Sequence, residues 1–372
     1  MRALPAGWAP WLPAEARDAA RAAVLLLAYV AAGKAGLSLA SVHPSATAVW
    51  APTGIAIAAL LVWGPRVWPG VLAGAFVVNA TTTGTWATSL GIAAGNTLEG
   101  LAAAWLVARL AHGPAFVERA RDVLAFAGLA ALACLLSATI GVTTLALGGF
   151  AAWPTYADIW ATWWLGDVAG AVVVAPFVVA WAPRWRALTL REAQHAGLLV
   201  VASGAVGVVL FAGLSPAQVR DWPLEFLVIP LVVLAAYLEG PLGVATATVV
   251  LSAVAVGGTV QGFGPFGDAG PRGLVPLQGF MAAASLTGLA LAAVVREREG
   301  IAAELRRARD DLEERVAERT ASLERAIAAL RREASEHERA QATLAEREAQ
   351  LAQAQRTAGL GSWTWDVARD EV

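Results

Sequence analysis

From Asp18 to Arg296 the chain alternates long apolar runs with short polar breaks. Beyond Arg296 it becomes densely charged, with a thin apolar seam. A helix that crosses hydrocarbon needs about 20 mostly apolar residues. Ten stretches meet or approach that length: 19–39, 46–63, 67–83, 86–109, 122–148, 157–181, 194–213, 223–238, 241–258 and 275–295. The pairs broken only by "WGPR" and "EGPLG" leave eight as the alternative count. "GVLAGAF" and "GAVGVVL" carry spaced small residues, which let membrane helices approach closely. The expected fold class is an all-α polytopic membrane protein that continues into a long cytoplasmic coiled-coil helix.

That last helix has its own period. Val316, Leu323, Leu330, His337, Leu344, Leu351 and Ala358 recur every seven residues, and Thr320, Ile327 and Ala334 fill the second seam position. Such a heptad run predicts a parallel coiled coil and a homodimer. Upstream, Leu312, Val316 and Thr320 make two consecutive steps of four, a stutter that locally unwinds a supercoil. His337 stands in "SEHERAQ", which lacks the Thr-Pro that continues a phosphoacceptor box. It reads as a seam residue.

Composition follows the same division. The chain is 58% apolar and 15% charged over 372 residues, against about a quarter charged in soluble domains. The net charge of −2 averages two chemically different parts and offers no basic face for nucleic acid. One cysteine, Cys134, and four scattered histidines exclude a disulfide framework within the chain and give no metal-binding motif. If the N-terminus is cytoplasmic, the internal loops hold Arg2, Arg17, Arg21, Arg66, Arg109, Arg119, Arg121, Arg184, Arg186 and Arg191. The external side holds Lys34, Arg220 and Arg272. That asymmetry is the positive-inside rule, and an even span count places both termini in the cytoplasm. The external loops fall short of the roughly 40 residues a domain needs, so a stimulus would be met within the membrane, at its outer rim, or through a partner membrane protein. "PTGIAIAALLVWGPRVWPG" and "PLVVLAAYLEGPLGVATAT" echo one another, each with a proline-led run, a Gly-Pro turn and a second run.

Ionisable groups inside a span cost several kcal/mol, about 2.5–3.5 on insertion scales, so each needs a reason. Glu99 in "GNTLEG" and Asp167 in "WWLGDVAG" are the clearest. Asn96, three residues before Glu99, shares its helical face. Asn79 ends one span and Gln278 opens the last. These five residues are the ligand-binding or switch candidates, for a cation, a proton or a polar ligand. The alternative is that they hydrogen-bond between helices and fix the packing. Trp50, Trp63, Trp68, Trp153, Trp163 and Trp164 lie near span ends and read as an interfacial aromatic belt.

Taken in order, "AVWAPTGIAIAALLVWGPRVWPGVLAGAFVVN", "GIAAGNTLEGLAAAWLVARL", "RARDVLAFAGLAALACLLSATIG", "WWLGDVAGAVVVAPFVVAW" and "GPFGDAGPRGLVPLQGFMAAASLTGLALAAVVRERE" resemble the bacterial membrane-associated sensor family, type one (MASE). The resemblance implies an inner-membrane input module, usually joined to histidine kinase or diguanylate cyclase machinery. It names no ligand. The matching positions are Trp50, Pro52, Gly54, Asn79, Asn96, Glu99, Gly166, Asp167 and Gln278. "DLEERVAERTASLERAI" resembles the signalling helices that join such sensors to output domains. "GSWTWDVARDEV" resembles the first strand of a PAS domain, with Trp363, Trp365 and Val367 alternating onto one face.

The expected organisation is a membrane sensor over 1–295, a coiled-coil signalling helix over 296–358 and the start of a truncated PAS domain over 359–372. The sequence has no phosphate-binding loop, nucleophile elbow or kinase motif, so the reading assigns it no catalytic residue, cofactor or metal. The competing function class is a polytopic transporter with a cytoplasmic dimerisation helix. A third reading is a scaffold that recruits a partner membrane protein.

Overall fold

Apolar runs of this length become helices because, in hydrocarbon, each backbone N–H and C=O must find its partner within the protein. The structure is a computed structural model that describes residues 13–38, 47, 49–82, 84–184, 188–213, 224–267, 274–359 and 361. Among these the elements are α1 (Ala14–Leu37), α2 (Ala51–Trp63), α3 (Trp68–Ala80), α4 (Trp86–Leu110), α5 (Ala120–Leu147), α6 (Tyr156–Trp181), α7 (Leu190–Phe211), α8 (Val228–Val260) and α9 (Leu274–Ala358), with short 3-10 turns between some of them. Seven of these, all but α2 and α3, are long and apolar enough to cross a membrane by length and composition. The fold is an all-α polytopic membrane architecture. The stub that resembles a PAS strand, with Trp363, Trp365 and Val367, lies outside the described residues.

The chain divides into two units, Met1–Glu299 and Gly300–Val372. In the second, α9 is a charged helix with internal ion pairs such as Arg309–Glu313 and Asp311–Arg315 at 2.8 and 2.9 Å. Val316, Leu323, Leu330, Leu344 and Leu351 are all exposed along it.

Two details of the first unit differ from a simple row of spans. The helix α8 is a hairpin. Gly240 adopts φ 64°, ψ −146° ahead of Pro241, a left-handed turn that glycine makes cheaply. A Cβ on Gly243 would stand 2.8 Å from the Ala235 carbonyl, and one on Gly288 of α9 would meet both Val232 and Val244. Residues eight apart on a straight helix are about 12 Å apart, so limbs 228–239 and 241–260 fold back on one another. Gly64 makes the matching turn, at φ 90° ahead of Pro65, between α2 and α3. The repeated sequence pattern thus corresponds to two Gly-Pro turns, each between a pair of helical limbs.

The second detail corrects the expected spans 46–63 and 67–83. Both α2 and α3 contain 13 residues, about 20 Å of helix against about 30 Å of hydrocarbon. The Trp50 N–H, just before α2, donates to the Gly166 carbonyl at 2.9 Å, well inside α6. The start of α2 therefore lies in the interior of the bundle, and α2 is too short to cross it.

Small residues set the closest crossings, as the sequence suggested. Gly70 and Gly74 of α3 face the Ala22 backbone and Tyr29 of α1, and Gly207 of α7 faces Val254 of α8. Gly54 and Gly170 bring α2 and α6 into backbone contact. One face of the unit gathers the start of α1 and the α2–α3 turn, where Arg66 meets Asp18 at 3.8 Å. The same face holds the end of α6, the α8 turn and Arg296. At the opposite face the Lys34 ammonium donates to the Val78 and Thr81 carbonyls at the end of α3.

The aromatic belt also needs correction. Trp68 and Trp153 are exposed, as interfacial residues should be, but Trp50 and Trp163 are buried. The indole N–H of Trp164 donates to the Ala131 carbonyl at 2.9 Å, so it too serves packing between helices.

Candidate functional site

The interior start of α2 is where the buried polar groups meet. Pro52 occupies the first turn of the helix, a position that tolerates a missing N–H. The next residue, Thr53, points its hydroxyl between two carboxyl groups, 3.5 Å from Glu99 Oε2 on α4 and 3.3 Å from Asp167 Oδ1 on α6. A helix start carries partial positive charge, so α2 presents its favourable end to both carboxyls. All three side chains are buried, and among the described residues no cationic side chain forms an ion pair with either acid.

A chain of hydrogen bonds runs beside this pair and ties four helices together. Trp163 Nε1 on α6 donates to Ser137 Oγ on α5 at 3.1 Å, and Ser137 donates to Asn96 Oδ1 on α4 at 2.7 Å. The Asn96 amide then donates to the Tyr29 hydroxyl on α1 at 2.9 Å. Cys134, one turn before Ser137 on α5, is buried beside Glu99. A Ser137→Ala substitution removes the shared partner of Asn96 and Trp163. It is expected to destabilise the protein by about 1–3 kcal/mol, the cost of leaving buried polar groups unpaired. Thermal unfolding in detergent would measure this, with Ser137→Thr, which retains the hydroxyl, losing less.

Three buried polar atoms at the site, Glu99 Oε1, Asp167 Oδ2 and Trp50 Nε1, have no partner in good hydrogen-bond geometry among the described residues, although the Cys134 thiol lies beside Glu99 and the Tyr29 hydroxyl beside Trp50. Buried polar atoms are nearly always paired, and one that is not points to a water, an ion or a ligand. The arrangement offers two acceptor oxygens and one indole donor around a single hydroxyl. It could accept hydrogen bonds from a donor-bearing molecule or stabilise a small cation. No group of three or more His, Cys, Asp or Glu positioned for a metal ion occurs among the described residues.

Of the five candidates read from sequence, Asn96, Glu99 and Asp167 come together here. Asn79 is buried near the end of α3 and donates to the Ala75 carbonyl of its own helix at 2.8 Å. Gln278 is buried on α9 beside Leu277 and Met281, which pack with residues of α7 and α8. The pattern residues Trp50, Pro52, Gly54 and Gly166 all cluster where α2 meets α6. Sequence reasoning missed Tyr29, Thr53, Ser137 and the inward role of Trp163. A usable signal existed, because Ser137 lies three residues after Cys134, and Asp167 four after Trp163, so each pair shares one helical face.

The MASE1 family model matches residues 21–299. The chain belongs to the MASE1 family. MASE1 is a membrane sensory domain of signalling proteins, and the match covers every residue of the polar cluster. No curated protein and no solved structure is similar enough to this MASE1 chain to match it.

Proposed function

We propose that this MASE1 chain is the input module of a bacterial signal-transduction protein of the histidine kinase or diguanylate cyclase type. On this reading it detects a stimulus at the Glu99/Asp167 pair and relays it through α9 to a PAS-linked output region. The observation that carries the proposal is the bond between α6 and α9. Asp167 lies on α6, and five residues further along the same helix the Val172 carbonyl accepts a hydrogen bond from Ser285 of α9 at 3.0 Å. A stimulus that moves α6 has a direct mechanical route to α9. It shifts the equilibrium only if it binds two packings with different affinity. The exposed apolar seam supports pairing of two copies through a parallel coiled coil.

The reading places the protein in the bacterial inner membrane with both ends in the cytoplasm. Support comes from the two faces of the first unit. Arg17, Arg21, Arg66, Arg119, Arg184 and Arg296 gather at one, and Lys34 lies at the other, the asymmetry expected for a cytoplasmic face.

The test is a chimera in which residues 1–358 drive a reporter kinase. Glu99→Gln and Asp167→Asn are expected to change output by roughly 5–150-fold, the range of common coupling energies, with membrane insertion intact. Normal responses from both variants would remove the pair from the mechanism. A second reading, a transporter, is favoured by the helix that starts in the interior beside buried carboxyls, an arrangement known in transporters. Solute uptake by liposomes that carry residues 1–299 would support it.

A further inference from the structure

The face that gathers the α2–α3 turn, the end of α6 and the α8 hairpin also contains a cleft of about 590 Å³. Three arginines from three separate segments line it: Arg119 before α5, Arg184 after α6 and Arg296 on α9. We propose that this cleft binds a phosphate-bearing anion through these guanidinium groups.

Charge pairing around the cleft is the first argument. On the neighbouring part of this face Arg21 and Arg66 both reach Asp18, at 3.4 and 3.8 Å. Glu118 and Glu297 line the cleft itself, yet neither forms an ion pair with any of the three arginines. Among the described residues Arg119 has one hydrogen-bond contact, from Nη1 to His112 Nε2 at 3.4 Å, and the other ring nitrogen of His112 meets Asp122 at 2.7 Å. Among the described residues the three cations thus share a cavity with two carboxylates and form an ion pair with neither, although Arg184 also stands near the Glu192 carboxylate at the start of α7. Positive-inside bias accounts for the number of arginines on such a face. It does not account for their convergence from distant segments.

Backbone shape is the second argument. A Cβ on Gly240 would stand 2.7 Å from Arg296 Nε and 3.0 Å from Nη2. The guanidinium therefore packs against the bare turn at the cleft wall, and among the described residues it forms no ion pair. The planar fork of arginine matches phosphate oxygens, and basic pockets between membrane helices bind phospholipid head groups. The cleft has room for more than one phosphate. A bound anion would link Arg184 at the end of α6 to Arg296 on α9, the same two helices that Ser285 joins. Binding itself does not depend on the sensor reading.

The full chain in phosphatidylcholine nanodiscs, titrated calorimetrically with pyrophosphate, tests for a soluble ligand. Nanodiscs doped with cardiolipin, followed by native mass spectrometry of retained lipid, test for a head group. Binding of at least one probe is expected. The Arg184→Gln/Arg296→Gln double variant should weaken it by about tenfold or more, and Arg119→Gln should weaken it less. Arg66→Gln, which leaves the cleft intact, should bind like the parent. Pyrophosphate binding alone would identify a soluble phosphate compound, and cardiolipin retention alone a lipid. The proposal is overturned if neither probe binds, if the double variant binds like the parent, or if Arg66→Gln loses as much.

Discussion

A Gly170→Leu protein is expected to insert into the membrane and then fail to close α2 against α6. Position 170 has no room for any side chain. A Cβ there would overlap the Trp50 carbonyl and stand 3.2 Å from the Ala51 nitrogen. Both are backbone atoms at the interior start of α2, so rotamer changes cannot relieve the clash. The opposing crossing residue, Gly54, is equally constrained by the Gly170 carbonyl, Val174 and the Ala175 nitrogen. Overpacking a well-fitted core costs about 1–3 kcal/mol even for added methylenes, and leucine adds a whole branched side chain. The loss should exceed that range and be visible as an early unfolding transition in detergent. Gly128→Leu on α5 is the control, because its position has nothing within 4 Å. Equal stability of the two variants would mean that the α2–α6 crossing is not closed by glycine. The same substitution should disturb the polar cluster, since Thr53 reaches Glu99 and Asp167 only while α2 lies on α6.

This crossing also shows how far sequence could lead. Apolar period and small-residue spacing were enough to outline the helices, their packing faces and the Asn96–Glu99 pair, because those depend on neighbours three or four positions away. The cluster itself depends on contacts between distant segments: Thr53 meets Asp167 across 114 positions. No local pattern encodes that distance. Hydropathy also does not mark where a helix begins, so the run from residue 46 read as one span although α2 starts at Ala51. Pro52 was the available signal, since proline marks the first turn of a helix. Trp50 and Trp163 were misjudged for a related reason. A tryptophan near the end of an apolar run suits an interface by composition, whereas here α2 starts deep and Trp163 faces Ser137.

Inserting one alanine between Gly300 and Ile301 is expected to disrupt output, whereas inserting seven residues should largely restore it. The helix α9 runs from Leu274 to Ala358. Its early part is buried along a single stripe that includes Leu277, Met281, Ser285, Gly288, Leu289 and Ala292. Its later part carries the seam that begins near Val316. If output depends on helical phase, the number of residues between stripe and seam sets it. One extra residue rotates everything beyond it by about 100°. Seven extra residues shift the phase by only about 20°. If α9 carries rotation or register from the bundle to a paired coil, the single insertion should change reporter output by several-fold and lock its response. The seven-residue insertion should retain a response of the normal sign. Equal output from both would show that phase along α9 is not what is transmitted, and would leave the Ser285–Val172 bond a packing contact.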